Sequence, residues 1–167
     1  MKYIILDIET TGLDVQQSSI IEVGALLVED GNIKDTYSSL VNFGGKLPDT
    51  IRRITGITDE MLSEAPKTTE VVARLKEFIS KYPVVAHNGY SFDFPILDRC
   101  GISVNEKYDS MELAFFILPT NVNGHSVSVL AQQLLNIADV PHRALEDCRL
   151  EFKIIKKLLE IYAKKSK

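Results

Sequence analysis

Residues 3–13 read YIILDIETTGL. A β-prone apolar run ends in two carboxylates, Asp7 and Glu9, and then in Thr10-Thr11-Gly12, a turn signal. On a strand, residues i and i+2 share a face and lie roughly 7 Å apart. Like charges held side by side repel, and charged side chains are almost never fully buried unless they are paired or hold a metal. The stretch therefore has two readings. Either the strand ends here and both acids are wet, or the acids hold a cation. In the second case an all-oxygen ligand set favours Mg²⁺ or Mn²⁺ over zinc.

Working outward, residues 20–29, IIEVGALLVE, read as a second strand. Asp30-Gly31 is a hairpin signal, and residues 33–42 read as the third strand. Gly44-Gly45 and Pro48 mark a loop. In TTEVVARLKEFISKY the apolar positions 71, 72, 75, 78, 79 and 82 have helical spacing. Pro83 stops that helix, and VVAH opens a short fourth strand. Residues 92–100 read as a helix that tolerates Pro95 in its first turn. Asp109-Ser110-Met111-Glu112 resembles a capping box. Apolar positions 127, 130, 131 and 134 mark a further helix, and 145, 148, 152, 155, 159 and 162 the last, which runs into a basic tail, AKKSK. With no repeat and no linker, residues 1–167 are expected to form a single α/β domain, a mixed sheet with helices on its faces.

Composition bounds the function. The chain has 167 residues, 45% apolar and 25% charged, as an ordinary globular domain does. A net charge of −4 argues against a long electrostatic grip on duplex nucleic acid, but permits a short grip on a strand end. Two cysteines, Cys100 and Cys148, make no disulfide framework and read as small core residues in a reducing compartment. No apolar run approaches the roughly 18 residues of a membrane span. The N-terminus enters a strand pattern without the apolar core of a signal peptide. The expectation is a cytoplasmic protein that makes no membrane contact.

Two later stretches bear on the acids. In AHNGYSFDFPIL, Asp93 falls in the first turn of the expected helix. In PHRALEDCRLE, His142 precedes the last helix and Asp147 follows five residues on, beside Cys148, where it can face the sheet. Each has a plainer reading. Asp93 could be a favourable acid at a helix N-terminus, and His142 a surface loop residue.

Together the three stretches resemble the DEDDh, or DnaQ-like, 3′–5′ exonucleases, the family that includes the proofreading subunits of bacterial DNA polymerases and ribonuclease T. The family pattern Asp-x-Glu-Thr-x-Gly stands here as DIETTG, His-Asn-x(3)-Phe-Asp as HNGYSFD, and His-x(4)-Asp as HRALED. ITGITDEML (residues 54–62) and GHSVSVLAQQL (residues 124–134) are also similar to the family, so the resemblance covers essentially the whole chain in order. It implies a ribonuclease H-like fold, a central five-stranded mixed sheet flanked by helices. It implies that Asp7, Glu9, Asp93 and Asp147 form the metal site and that His142 is the general base. The cofactors it implies are two divalent ions, Mg²⁺ or Mn²⁺, spaced about 4 Å apart, able to clamp the attacking water and the leaving oxygen of a phosphodiester. A histidine, with an ordinary pKa of about 6.5, suits the removal of the water's proton.

For substrate, the resemblance points to Thr10, Thr11, Gly12 and Leu13 at the terminal nucleotide, Leu13 as a wedge between the last two bases. His87, Asn88 and Phe92 lie where a strand end would pass, although His87 and Asn88 also suit a hydrogen-bond network at a strand end and Phe92 suits core packing. His125 reads as a lead-in to its helix with no catalytic role. The expected activity is metal-dependent removal of nucleotides from the 3′ end of single-stranded DNA, as in proofreading or repair. The alternatives are an exoribonuclease trimming RNA 3′ ends, since only one or two contacts need sense the 2′-hydroxyl, or an interaction module. A polymerase or helicase is the expected partner.

Overall fold

The computed structural model describes residues 1–120, 123–138, 140 and 142–166. Five strands form one sheet in the order β3-β2-β1-β4-β5. These are β1 (Lys2–Thr10), β2 (Ile20–Glu29), β3 (Asn32–Leu40), β4 (Val84–Ala86) and β5 (Lys107–Asp109). β2 runs antiparallel to both β1 and β3, and β4 and β5 are parallel to β1 and β4 respectively. The β2–β3 turn places Asp30 and Gly31 at φ of 50° and 73°, the left-handed pair that a tight hairpin needs. The helices are α1 (Asp49–Thr55), α2 (Asp59–Ser63), α3 (Thr68–Ile79), α4 (Asp93–Arg99), α5 (Ser110–Ile117), α6 (Val127–Leu135) and α7 (Ala144–Lys165). The five-stranded mixed sheet flanked by helices is the expected fold.

Strand alternation assigns the two faces. Ile4, Leu6 and Ile8 of β1 pack with Val71, Leu75 and Ile79 of α3 and Phe94, Ile96 and Leu97 of α4. Ile5 faces the other way, onto Cys148 and Ile155 of α7. Asp7 and Glu9 continue that second face towards the start of α7, so the acids lie near the end of a core strand that runs to Thr10.

One expectation is corrected, and two features go beyond the sequence reading. The last helix does not bury a single stripe. Leu159 and Tyr162 are about half exposed (49% and 46%), while Leu150, Ile154 and Leu158 are buried against α5 and α6. Because α7 lies between the sheet and those two helices, it buries two faces. The short helices α1 and α2 were not anticipated. They are seven and five residues long, too short for a periodic pattern, and α2 is set by its cap, the Thr58 hydroxyl accepting from Met61 N–H. At α5 the Asp109 carboxylate caps the Met111 amide at 2.8 Å and also accepts from Asn88 and Tyr90 N–H at 3.0 and 3.3 Å. It joins the β4 exit to α5, a wider task than a local capping box. No described helix is long and apolar enough to cross a membrane.

Candidate metal centre

The seat of α7 organises the site. Its N-cap, Arg143, makes no side-chain cap. Glu22 of β2 supplies one, accepting from the Ala144 amide at 3.1 Å. The same carboxylate, 2% exposed, accepts from Arg143 Nε at 3.1 Å and Nη2 at 2.8 Å. Two residues along β2, Gly24 makes room for the helix. A Cβ there would lie 2.3 Å from the Ala144 carbonyl carbon and 2.4 Å from the Leu145 nitrogen. Cys148 Sγ meets the Gly24 carbonyl at 3.3 Å. Thus one strand holds the first turn of α7 by a charge pair and by the absence of a side chain, and that turn carries Asp147 to the acids of β1.

Glu9, His142 and Asp147 each offer a ligand atom, and these atoms lie within 4.8 Å of one another. Asp147 uses Oδ2 to accept from Arg143 N–H at 3.1 Å, while Oδ1 has no partner among the described residues. Asp93 begins α4 and is 3% exposed, with its Oδ1 also unpartnered. Asp7 precedes Glu9 by two residues on β1 and shares its face. Burial drives its carboxyl well above the usual range, and the charges of Asp93, Glu9, Asp147 and Glu151 push further. Burial likewise raises Asp93, with nearby amides of Asp93 and Ile8 opposing. Glu9 is pushed up to about 7 by burial, then by Asp147 and Glu22, with Arg143 opposing. Asp147 also rises to about 7, by burial first, with the Arg143 amide opposing and Glu22 and Glu146 adding. Ionised together, four such acids with buried oxygens unpartnered among the described residues would be relieved by a bound cation, as they are by protonation. Oxygen donors with one imidazole beside them fit hard divalent cations.

Comparison with known proteins identifies the family and the fold. The RNase T "Exonuclease" family profile matches residues 4–155. The chain belongs to the exonuclease family. The DNA polymerase III PolC-type protein of Bacillus cereus is 34% identical over 164 residues, 95% of this chain. This chain spans only 11% of that protein's length. The structure of exonuclease X in complex with 5′-overhanging duplex DNA superposes with a TM-score of 0.77 at 27% identity, covering 95% of this chain and 91% of that one. A 3′-exonuclease solved with the histone mRNA stem-loop shares the fold at TM-score 0.78 and 17% identity, covering 95% and 81%.

The remaining expected residues of this exonuclease-family chain fall around the same end of the sheet. Thr10 donates its hydroxyl to the Gly12 carbonyl at 2.6 Å, and Thr11 accepts from Ser19 N–H at 3.0 Å. Both hydroxyls build the loop, and Leu13 stands at its tip, 87% exposed. Arg99 of α4 pins this loop from behind, donating to the carbonyls of Val15, at 3.0 Å, and Ser18. His87 Nδ1 lies 2.9 Å from Ser110 Oγ. Asn88 turns the chain at φ 58° and gives its N–H to Asp109, so both serve a strand-end network. Phe92 is half-buried against the core, as the packing reading has it. His125 is buried, its Nε2 2.8 Å from the Leu118 carbonyl. Glu22, Gly24 and the buried Glu151 do not stand out in the sequence. Glu22 and Gly24 fit an ordinary strand pattern, and nothing in their spacing shows that β2 meets α7. Glu151 follows Asp147 by four residues, one helical turn, and that spacing was the available signal.

Proposed function

We propose that this domain removes nucleotides one at a time from the 3′ end of single-stranded DNA, using two Mg²⁺ or Mn²⁺ ions. The observation that carries the reading is the cluster of Glu9, His142 and Asp147, with Asp7 and Asp93 in electrostatic reach of it. Divalent ions held there would supply positive charge for the phosphodiester oxygens and lower the pKa of a water. The acids of β1, α4 and α7 hold that charge from three elements, which fixes it relative to the strand end. His142, exposed and preceding α7, takes the water's proton and hands it to solvent. Leu13, exposed at the loop tip, meets the terminal bases through apolar contact, which is tolerant of sequence.

DNA is favoured over RNA by the 34% identity to PolC-type DNA polymerases and by the likeness to exonuclease X. The PolC-type relatives also support a role beside a polymerase, to which a domain of net charge −4 would owe its delivery to the strand end. The test is a rate comparison on single-stranded DNA and RNA of one sequence, with Mg²⁺, with Mn²⁺ and with chelator. Faster metal-dependent shortening of DNA supports the reading. Faster shortening of RNA turns it to an exoribonuclease, and cleavage of neither turns it to an interaction module.

A further inference from the structure

We infer that Glu151 is a fifth carboxylate of the metal centre, a positioning residue held towards the ions by Ser110 and His87. The inference rests on the metal-centre reading above and goes beyond its four acids and histidine. Glu151 lies on α7 one turn after Asp147 and is 2% exposed. A buried glutamate on a helix, with no basic partner among the described residues, is costly. The side chain of Ser110 is its hydrogen-bonding neighbour, and Oε1 has no partner among the described residues. The charged groups it senses are Asp93, Asp109 and Asp147, and it is among those that Asp7 senses. One oxygen is therefore unpartnered among the described residues, on a buried side chain in electrostatic reach of Asp7, Asp93 and Asp147.

The other side of the carboxylate is braced. Ser110 begins α5 and is itself 2% exposed. Its Oγ lies 2.9 Å from His87 Nδ1, and the next residue along from His87, Asn88, is tied by its amide to Asp109. A serine hydroxyl has one proton to give. With His87 donating from Nδ1, that proton is available to Glu151. The chain His87–Ser110–Glu151 thus runs from the end of β4 through α5 to α7 and stops at the acids. Outer carboxylates of this kind orient the inner ligands or their waters. This gives His87 a structural task at the site rather than contact with a base.

The test is Mn²⁺ binding, followed by calorimetric titration and by the Mn²⁺-induced rise in Tm, for the wild-type protein, Glu151→Gln, Ser110→Ala and Asp7→Ala. Gln keeps the volume and the hydrogen bond to Ser110 and removes only the charge. The expected result is Mn²⁺ affinity weakened about tenfold in Glu151→Gln, the size usual for such partners, with a smaller loss in Ser110→Ala and a restored affinity in Ser110→Thr. Wild-type affinity in a folded Glu151→Gln protein would overturn the inference and leave the four-acid centre standing. A wild-type protein that takes up no Mn²⁺, like Asp7→Ala, would overturn the metal-centre reading itself.

Discussion

Gly24→Ala tests how the site is held without touching any of its acids. The added methyl would stand 2.3 to 2.5 Å from the backbone of Ala144 and Leu145, about 1 Å short of ordinary contact. The obstacle is helix backbone, which cannot rotate aside, so β2 and the first turn of α7 must separate. That separation strains the Glu22–Arg143 pair, which bonds at 2.8 Å, and the Glu22–Ala144 bond. Overpacking of this kind costs about 1–3 kcal/mol. A displacement of about 1 Å carries His142 and Asp147 away from Glu9, and misplacement on that scale lowers a rate about a hundredfold. Urea unfolding and the nuclease rate on a single-stranded oligonucleotide measure both effects. A variant with the wild-type urea midpoint and the wild-type rate would refute the claim that this close seat positions the site.

Three further outcomes are expected. In chelator, Glu9 prefers its proton. Moving it from its ordinary 4.5 to about 7 corresponds to about 3 kcal/mol at about 1.36 kcal/mol per pH unit. A raised folded pKa gives stability that is full below about 4.5 and lost as pH rises through about 7, so the metal-free protein weakens across that window. Glu9→Gln flattens the loss in urea midpoints, whereas parallel curves for the two proteins would contradict the assignment. Arg143→Ala leaves Glu22, 2% exposed, with the Ala144 amide as its remaining partner and costs about 2 kcal/mol; a change within about 0.5 kcal/mol in chemical denaturation, as at an ordinary surface site, would show the pair to be dispensable. His142→Ala loses about a hundredfold or more in kcat yet keeps Mn²⁺ affinity, and loss of both together would make His142 a ligand in place of a base.

Much of the site was legible because its chemistry contradicts its surroundings. Asp7 and Glu9 break an apolar strand on one face, and that conflict is visible in one dimension. Asp93 and Asp147 gained meaning from the helical positions around them and from the ordered motifs. The α3 stripe at 71, 75 and 79 was equally plain, since those residues are buried against the sheet. What was hidden depends on contacts between distant elements. Glu22 reads as a polar residue on a strand until Arg143 is placed beside it, 121 residues away. Gly24 reads as a weak strand residue until a helix backbone arrives where its Cβ would be. The three residues of β5 carry no alternation to read, and α7 shows one stripe in sequence but buries two. Thr10 and Thr11, expected at the substrate, commit their hydroxyls to the loop that presents Leu13.

The central claim, that these acids and their ions act from a 3′ end, is tested most directly by label position. One single-stranded DNA is labelled at its 5′ end and the same DNA at its 3′ end, and each is incubated with Mg²⁺ and either the wild-type or the Asp7→Ala protein. Release of the 3′ label as a mononucleotide from the first turnover is expected, with stepwise shortening of the 5′-labelled strand, and neither event with Asp7→Ala or with chelator. Release of the 5′ label first, internal cleavage, or unchanged activity in Asp7→Ala would contradict that claim.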